Sequence, residues 1–186
     1  MRPPRLFAIL AAAIATAVPM QAAEQPPPDD VQVTVVLDTT VINGVRLQMP
    51  MDLGRLIEVL GDPDRMTKGK PDQNTLHTWD ELGMLAYESP NGKIISLAVC
   101  FGREDKDFWP RKYFRGLLRV DGATVTGRTS IGEINRGKEG KKFERSKYLT
   151  DNFTLRNKTS SLFIQEATGG DLKFTSFHVC EKLGDD

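Results

Sequence analysis

The chain has 186 residues, 25 Lys and Arg against 25 Asp and Glu, 39% hydrophobic residues and two cysteines. With charges of both signs mixed along its length, no basic face argues for nucleic acid or an anionic membrane surface. The sequence holds no HExxH, no CxxC, no glycine-rich nucleotide loop and no serine in a nucleophile signature, so no metal, no cofactor and no catalytic residue is assigned.

Residues 1–23 read as a secretory signal peptide. Arg2 and Arg5 precede an apolar run from Leu6 to Val18, and small residues follow at Ala15, Ala17, Ala22 and Ala23. Cleavage after Ala23 or after Ala17 satisfies the layout, and no later segment is long and apolar enough to span a membrane once the signal is removed. Residues 24–30, with Gln25-Pro26-Pro27-Pro28, read as a stiff, solvated spacer. Val31 to Leu37 is strongly β-prone. Asn43-Gly44, between β-branched and apolar neighbours, predicts a tight hairpin, because both residues tolerate the positive φ that such a turn needs.

A helix follows from Asp52. Leu53, Leu56, Ile57 and Leu60 make one apolar stripe, Asp52 is placed to cap the first turn, and Gly61 with Pro63 ends it. At about nine residues it is too short to stand alone in water and must dock on a sheet. Three strands come next, over 75–79, 84–88 and 93–101, joined by the turns Asp80-Glu81-Leu82-Gly83 and Ser89-Pro90-Asn91-Gly92. The charged run 105–113 then reads as a linker or seam.

A second copy of the plan begins after the seam, at an ungapped offset of 78 residues. Val120-Asp121-Gly122 matches Ile42-Asn43-Gly44, Ile131-Gly132 matches Leu53-Gly54, Leu162-Phe163-Ile164 matches Met84-Leu85-Ala86, and Gly170 matches Gly92. The expected fold is therefore α+β. It has two duplicated β-β-α-β-β-β units, 31–104 and 114–183, each an antiparallel sheet with one short helix on a face.

Two readings of chemistry compete with structural ones. His77, Asp80 and Glu81 put a histidine beside adjacent carboxylates, as acid–base hydrolysis requires, yet Asp-Glu-Leu-Gly is also an ordinary turn. Trp79 and Trp109, with Arg111 and Tyr113, form an aromatic and cationic set suited to a protein interface. Equally, Trp79 suits a core anchor, and Trp109 with Phe114 suits a plug between the units. Cys100 and Cys180 are a candidate disulfide in an exported chain. Two buried thiols, or a metal site completed by His178 and His77, are the alternatives.

The stretches VINGVRLQMPMDLGRLIEVLGDPDR, HTWDELGMLAY and FRGLLRVDGATVT resemble a family of bacterial exported domains of unknown function. The helix ending in LGDPDR is also similar to small outer-membrane assembly lipoproteins and to the tandem modules of β-lactamase inhibitor proteins, although no lipid-anchor cysteine is present. The resemblance implies a periplasmic or secreted compartment, and the aromatic and cationic set gives the expected role, a non-catalytic module that binds another envelope or secreted protein. A periplasmic enzyme using His77 with Asp80 or Glu81, or an envelope assembly factor, is the alternative.

Overall fold

In the computed structural model the described residues are 23–70, 72–136, 138, 140–147, 151–168 and 170–182. The expected signal peptide lies outside them except for Ala23. The first half carries β1 (Gln32–Val36), β2 (Thr39–Ile42), β3 (Val45–Leu47), α1 (Leu53–Leu60), β4 (Arg65–Thr67), β5 (Thr75–Trp79), β6 (Met84–Glu88) and β7 (Ile94–Cys100). The second carries β8 (Leu117–Val120), β9 (Ala123–Val125), α2 (Ile131–Arg136), β10 (Glu144–Arg145), β11 (Asn152–Arg156), β12 (Ser160–Glu166) and β13 (Phe174–Glu181).

These strands do not form two separate α+β units. They regroup across the halves into a five-stranded sheet, β3-β2-β1-β8-β9, and an eight-stranded sheet, β10-β11-β12-β13-β7-β6-β5-β4. The protein is mostly β, with 41% strand and 11% helix, which corrects the expected helix-covered units. The physical reason lies in β1 and β8. They pair in parallel, Val33 opposite Leu118 and Val35 opposite Val120, and the whole first half serves as the crossover such a pairing needs. At the middle of the larger sheet β7 pairs antiparallel with β13, again joining the halves.

The halves keep the same local geometry at the 78-residue offset. Asn43 and Asp121 have φ of 49° and 46°, and Gly44 and Gly122 have φ of 82° and 85°. The two sheets and both helices bury their apolar faces in one core. Val33, Val35, Ile42, Leu118 and Val120 come from the smaller sheet, and Trp79, Met84, Leu97, Leu162 and Phe177 from the larger. Alternation along β1 explains its placement: Val31, Val33 and Val35 are buried while Gln32 and Val36 face out.

The helices are subordinate. Leu56, Val59 and Leu60 of α1 enter the core, and Gly61 ends the helix at φ 75°, its N–H donating to the Ile57 carbonyl. Asp52 does not cap the first turn as expected; its carboxylate instead accepts from Lys93 Nζ at 2.7 Å. α2 has a capping box that sequence reading passed over, with Ser130 N–H donating to Glu133 Oε2 at 2.7 Å and Glu133 N–H returning to Ser130 Oγ at 3.3 Å. The expected spacer is docked at its start. Ala23 N–H donates to Asp62 Oδ2 at 2.7 Å, and Gln25 Nε2 donates to the Asp62 carbonyl at 2.7 Å.

The candidate disulfide does not form. Cys100 lies opposite Ser176 and Cys180 opposite Ser96, so the cysteines are offset by four residues along neighbouring strands and both are free. That offset separates them by roughly 13 Å, about twice the Cα span that a disulfide tolerates. Cys180 Sγ meets Ser96 Oγ at 3.1 Å instead. Denatured without reductant, the protein is expected to release two titratable thiols per chain, and reductant is expected to leave its unfolding midpoint unchanged. Absence of free thiols after denaturation would contradict this register.

Candidate functional site

One densely hydrogen-bonded polar site is built around Asp80, which follows β5 and is only 7% exposed at its side chain. Arg65, on the edge strand β4, forks onto it with Nε to Oδ2 and Nη2 to Oδ1, both at 2.7 Å. The same guanidinium donates to the carbonyls of Asp107 and Trp109. Asp80 also accepts the N–H of Arg111 on Oδ1 at 2.9 Å, and its carbonyl accepts the N–H of Lys112. Burial alone would raise the carboxyl, but the Arg65 fork and the Arg111 N–H outweigh it and hold Asp80 below the usual carboxylate value.

This fork clamps the charged run onto the sheet. Thr78 Oγ1 donates to the Phe108 carbonyl at 2.9 Å, and Trp109 Nε1 donates to the Gly102 carbonyl at 2.7 Å. Gly83, at φ 67°, lets the chain pass so close that a Cβ there would stand 2.2 Å from Phe114 N. Arg111, Lys112, Tyr113 and Arg115 are thereby displayed outward, with Tyr113 49% exposed and the Arg111 side chain 74% exposed. They line, with Glu81, a shallow depression of about 330 Å³.

Sequence reading placed Trp79 and Trp109 in the contact surface, and the structure puts both inside. Trp79 is fully buried with Nε1 donating to the Gly61 carbonyl at 2.9 Å, and Trp109 covers Leu85, Ala98 and Cys100 on the other face of the large sheet. Arg111 and Tyr113 remain on the surface. Lys112, which belongs to the same run of aromatic and cationic residues, and Arg115 beyond it join them because the clamp turns the segment outward.

The acid–base set is not brought together. His77 is buried and its Nε2 faces Glu88 Oε2 at 2.7 Å, Asp80 is taken up by Arg65 and Arg111, and Glu81 is exposed. His178 Nε2 meets Ser176 Oγ at 2.8 Å, and burial together with nearby Lys106 pushes it down to about 4. Burial pushes the Cys100 thiol well up and takes Cys180 to about 11, so neither offers a thiolate near neutrality. Among the described residues no cluster of His, Cys, Asp and Glu converges on a metal position.

A larger cleft of about 1030 Å³ opens where four connections meet. They are the β1–β2 turn at Leu37-Asp38, the β8–β9 turn at Asp121-Gly122, the residues Lys138, Gly140 and Lys141 that follow α2, and the β11–β12 turn at Arg156 to Lys158. Sequence reading missed it entirely, because its walls come from turns as far apart as Leu37 and Lys158.

A family model described as a domain of unknown function, DUF7738, matches residues 32–135. The chain belongs to that family. The matched span runs from β1 into α2, so the family region holds the whole five-stranded sheet, the Arg65–Asp80 fork and the Arg111 to Arg115 display. The strands β10 to β13 fall outside it. Neither the curated proteins nor the solved structures yield a match to the chain.

Replacing Asp80 by Asn is expected to cost about 2 kcal/mol, less than a fully buried pair because Arg65 keeps 26% of its side chain in water. The depressed carboxyl makes this contribution complete above the unfolded value near 3.8 and lost as pH falls through the lower folded value. The stability gap between native protein and Asp80→Asn, followed by urea unfolding, should therefore be full near neutrality and close in acid. A gap that widens in acid would contradict the fork.

Proposed function

We propose that the chain is an exported, non-catalytic protein-binding module of the cell envelope, periplasmic or secreted, whose display at Arg111, Lys112, Tyr113 and Arg115 docks an acidic segment of another envelope or secreted protein. The observation that carries this reading is the clamp. An Arg65–Asp80 fork holds an exposed tyrosine among three cations, Arg111 with Asp80 at 3.6 Å and Arg115 with Asp29 at 3.3 Å, and among the described residues Glu81 is the carboxylate that lines the same depression. Tyr and Arg contribute disproportionately at interfaces, and a segment already held in place loses little conformational freedom on docking.

Export is supported by the leader-like stretch 1–23, and the binding role by the exposure of Tyr113 among Arg111, Lys112 and Arg115. The enzyme reading has weaker support, since His77, Asp80 and Glu81 face different neighbours.

Affinity capture of the tagged full-length chain from its host tests the proposal, with Tyr113→Ala and Arg111→Ala variants alongside and folding checked by circular dichroism. Each variant is expected to weaken retention of the same partner about tenfold, and the partner's contact segment is expected to be acidic. Equal retention by native and variant forms would remove this face from consideration.

A further inference from the structure

The display and the cleft lie at opposite ends of β8, Arg115 before it and Asp121 after it. The cleft is thus a separate site, and its lining has an uncommon composition. Among the described residues it carries five cations, Lys138, Lys141, Arg156, Lys158 and Lys182, against the two carboxylates of Asp38 and Asp121. Both carboxylates are already engaged. Asp38 accepts the N–H groups of Lys158, Thr159 and Ser160 at 3.2, 2.7 and 3.0 Å, with the Ser160 hydroxyl at 3.1 Å. Asp121 accepts the Leu37 N–H at 2.9 Å and pairs with Lys138. Lys141 Nζ reaches the Arg156 carbonyl, whereas the charged ends of Arg156 and Lys158 have no acidic partner among the described residues.

The second observation is Leu37. It sits at φ 51°, a conformation that a bulky side chain rarely takes and that Asn, Asp or Gly would adopt at lower cost. Two hydrogen bonds from other elements hold it there, its N–H to Asp121 and its carbonyl to Asn157 Nδ2 at 2.6 Å. The result is an apolar side chain left 66% exposed, beside Val36 at 47%, at the edge of a cationic cleft. Local strain maintained by its surroundings, with an apolar group offered to solvent, is a mark of a contact surface.

We infer that this cleft binds a small amphiphile with one anionic head, a carboxylate or phosphate, on an apolar chain. The head is held by Arg156 and Lys158, and the chain lies on Leu37 and Val36. The volume suits a ligand of that size. Charge complementarity selects the head, since a neutral ligand would leave the cationic wall unanswered.

The test is calorimetric titration of the full chain, purified as its host processes it, with decanoate as the probe. Decyl phosphate, 1-decanol and acetate run beside it, to separate head-group type, chain alone and head alone. One molecule of decanoate or decyl phosphate is expected to bind per chain, with decanol and acetate at least tenfold weaker. Arg156→Gln with Lys158→Gln is expected to weaken the anionic amphiphile about tenfold and to leave decanol unchanged. Leu37→Asn, which keeps a residue tolerant of positive φ, is expected to bring decanoate close to acetate. Lys93→Gln, remote from the cleft, should change nothing. Lys158→Gln alone, on an exposed turn, serves if the double variant does not fold. No binding of either anionic amphiphile, decanol binding as tightly as decanoate, or unchanged binding by the Leu37 and Lys158 variants would each overturn the inference.

Discussion

The parallel pairing of β1 with β8 is the constraint on which the rest depends. β1 is the central strand of the smaller sheet, flanked by β2 on one side and β8 on the other. β2 must keep Thr40 and Ile42, and β8 must keep Leu118 and Val120, on the buried side, because a slip of one residue would turn those side chains to solvent. That register brings the Asp121 turn beside the Leu37 turn, where the Asp121 N–H donates to the Val35 carbonyl and the Asp121 carboxylate accepts from Leu37. The cleft is therefore a consequence of how the two halves are joined.

A second constraint organises the opposite end of β8. The Arg65–Asp80 fork lies at the edge of the larger sheet, and the backbone of the charged run supplies several of its remaining partners. A charge so poorly hydrated is tolerable only when its hydrogen-bonding capacity is filled, and here filling it requires the run to lie flat along the sheet. Trp109 and Phe108 then cover the outer face of the larger sheet. Arg111, Lys112 and Tyr113 are left on the solvent side with little freedom to lose. Stability and presentation share one set of interactions.

Most of the local structure was legible in the residues. Asn43-Gly44 and Asp121-Gly122 demanded positive φ, Gly61 ended α1, and the strands over 75–79 and 84–88 lie where the turns around them predict. Ser130 and Glu133, three residues apart, carry a readable capping signal. The site was much less legible. Trp109 stands among charges, where an aromatic residue serves a surface or a core equally well, and only the fork beneath it decides between them. Cys100 and Cys180 invited pairing because they are two in an exported-looking chain, but sequence carries no measure of cross-strand register.

What the sequence determined by itself was therefore short-range: turns, caps, the apolar alternation of β1 and the similarity of the two halves. These depend on backbone preference and on side chains a few residues apart, which any stretch of chain carries with it. Tertiary structure alone decided that the halves share both sheets, that two tryptophans go inside, and that Leu37, Arg156 and Lys158 surround one cleft. Those outcomes depend on partners separated by as many as about 120 positions, as between Leu37 and Asn157. Such pairings are chosen by the burial of the whole core at once, and no local pattern records them.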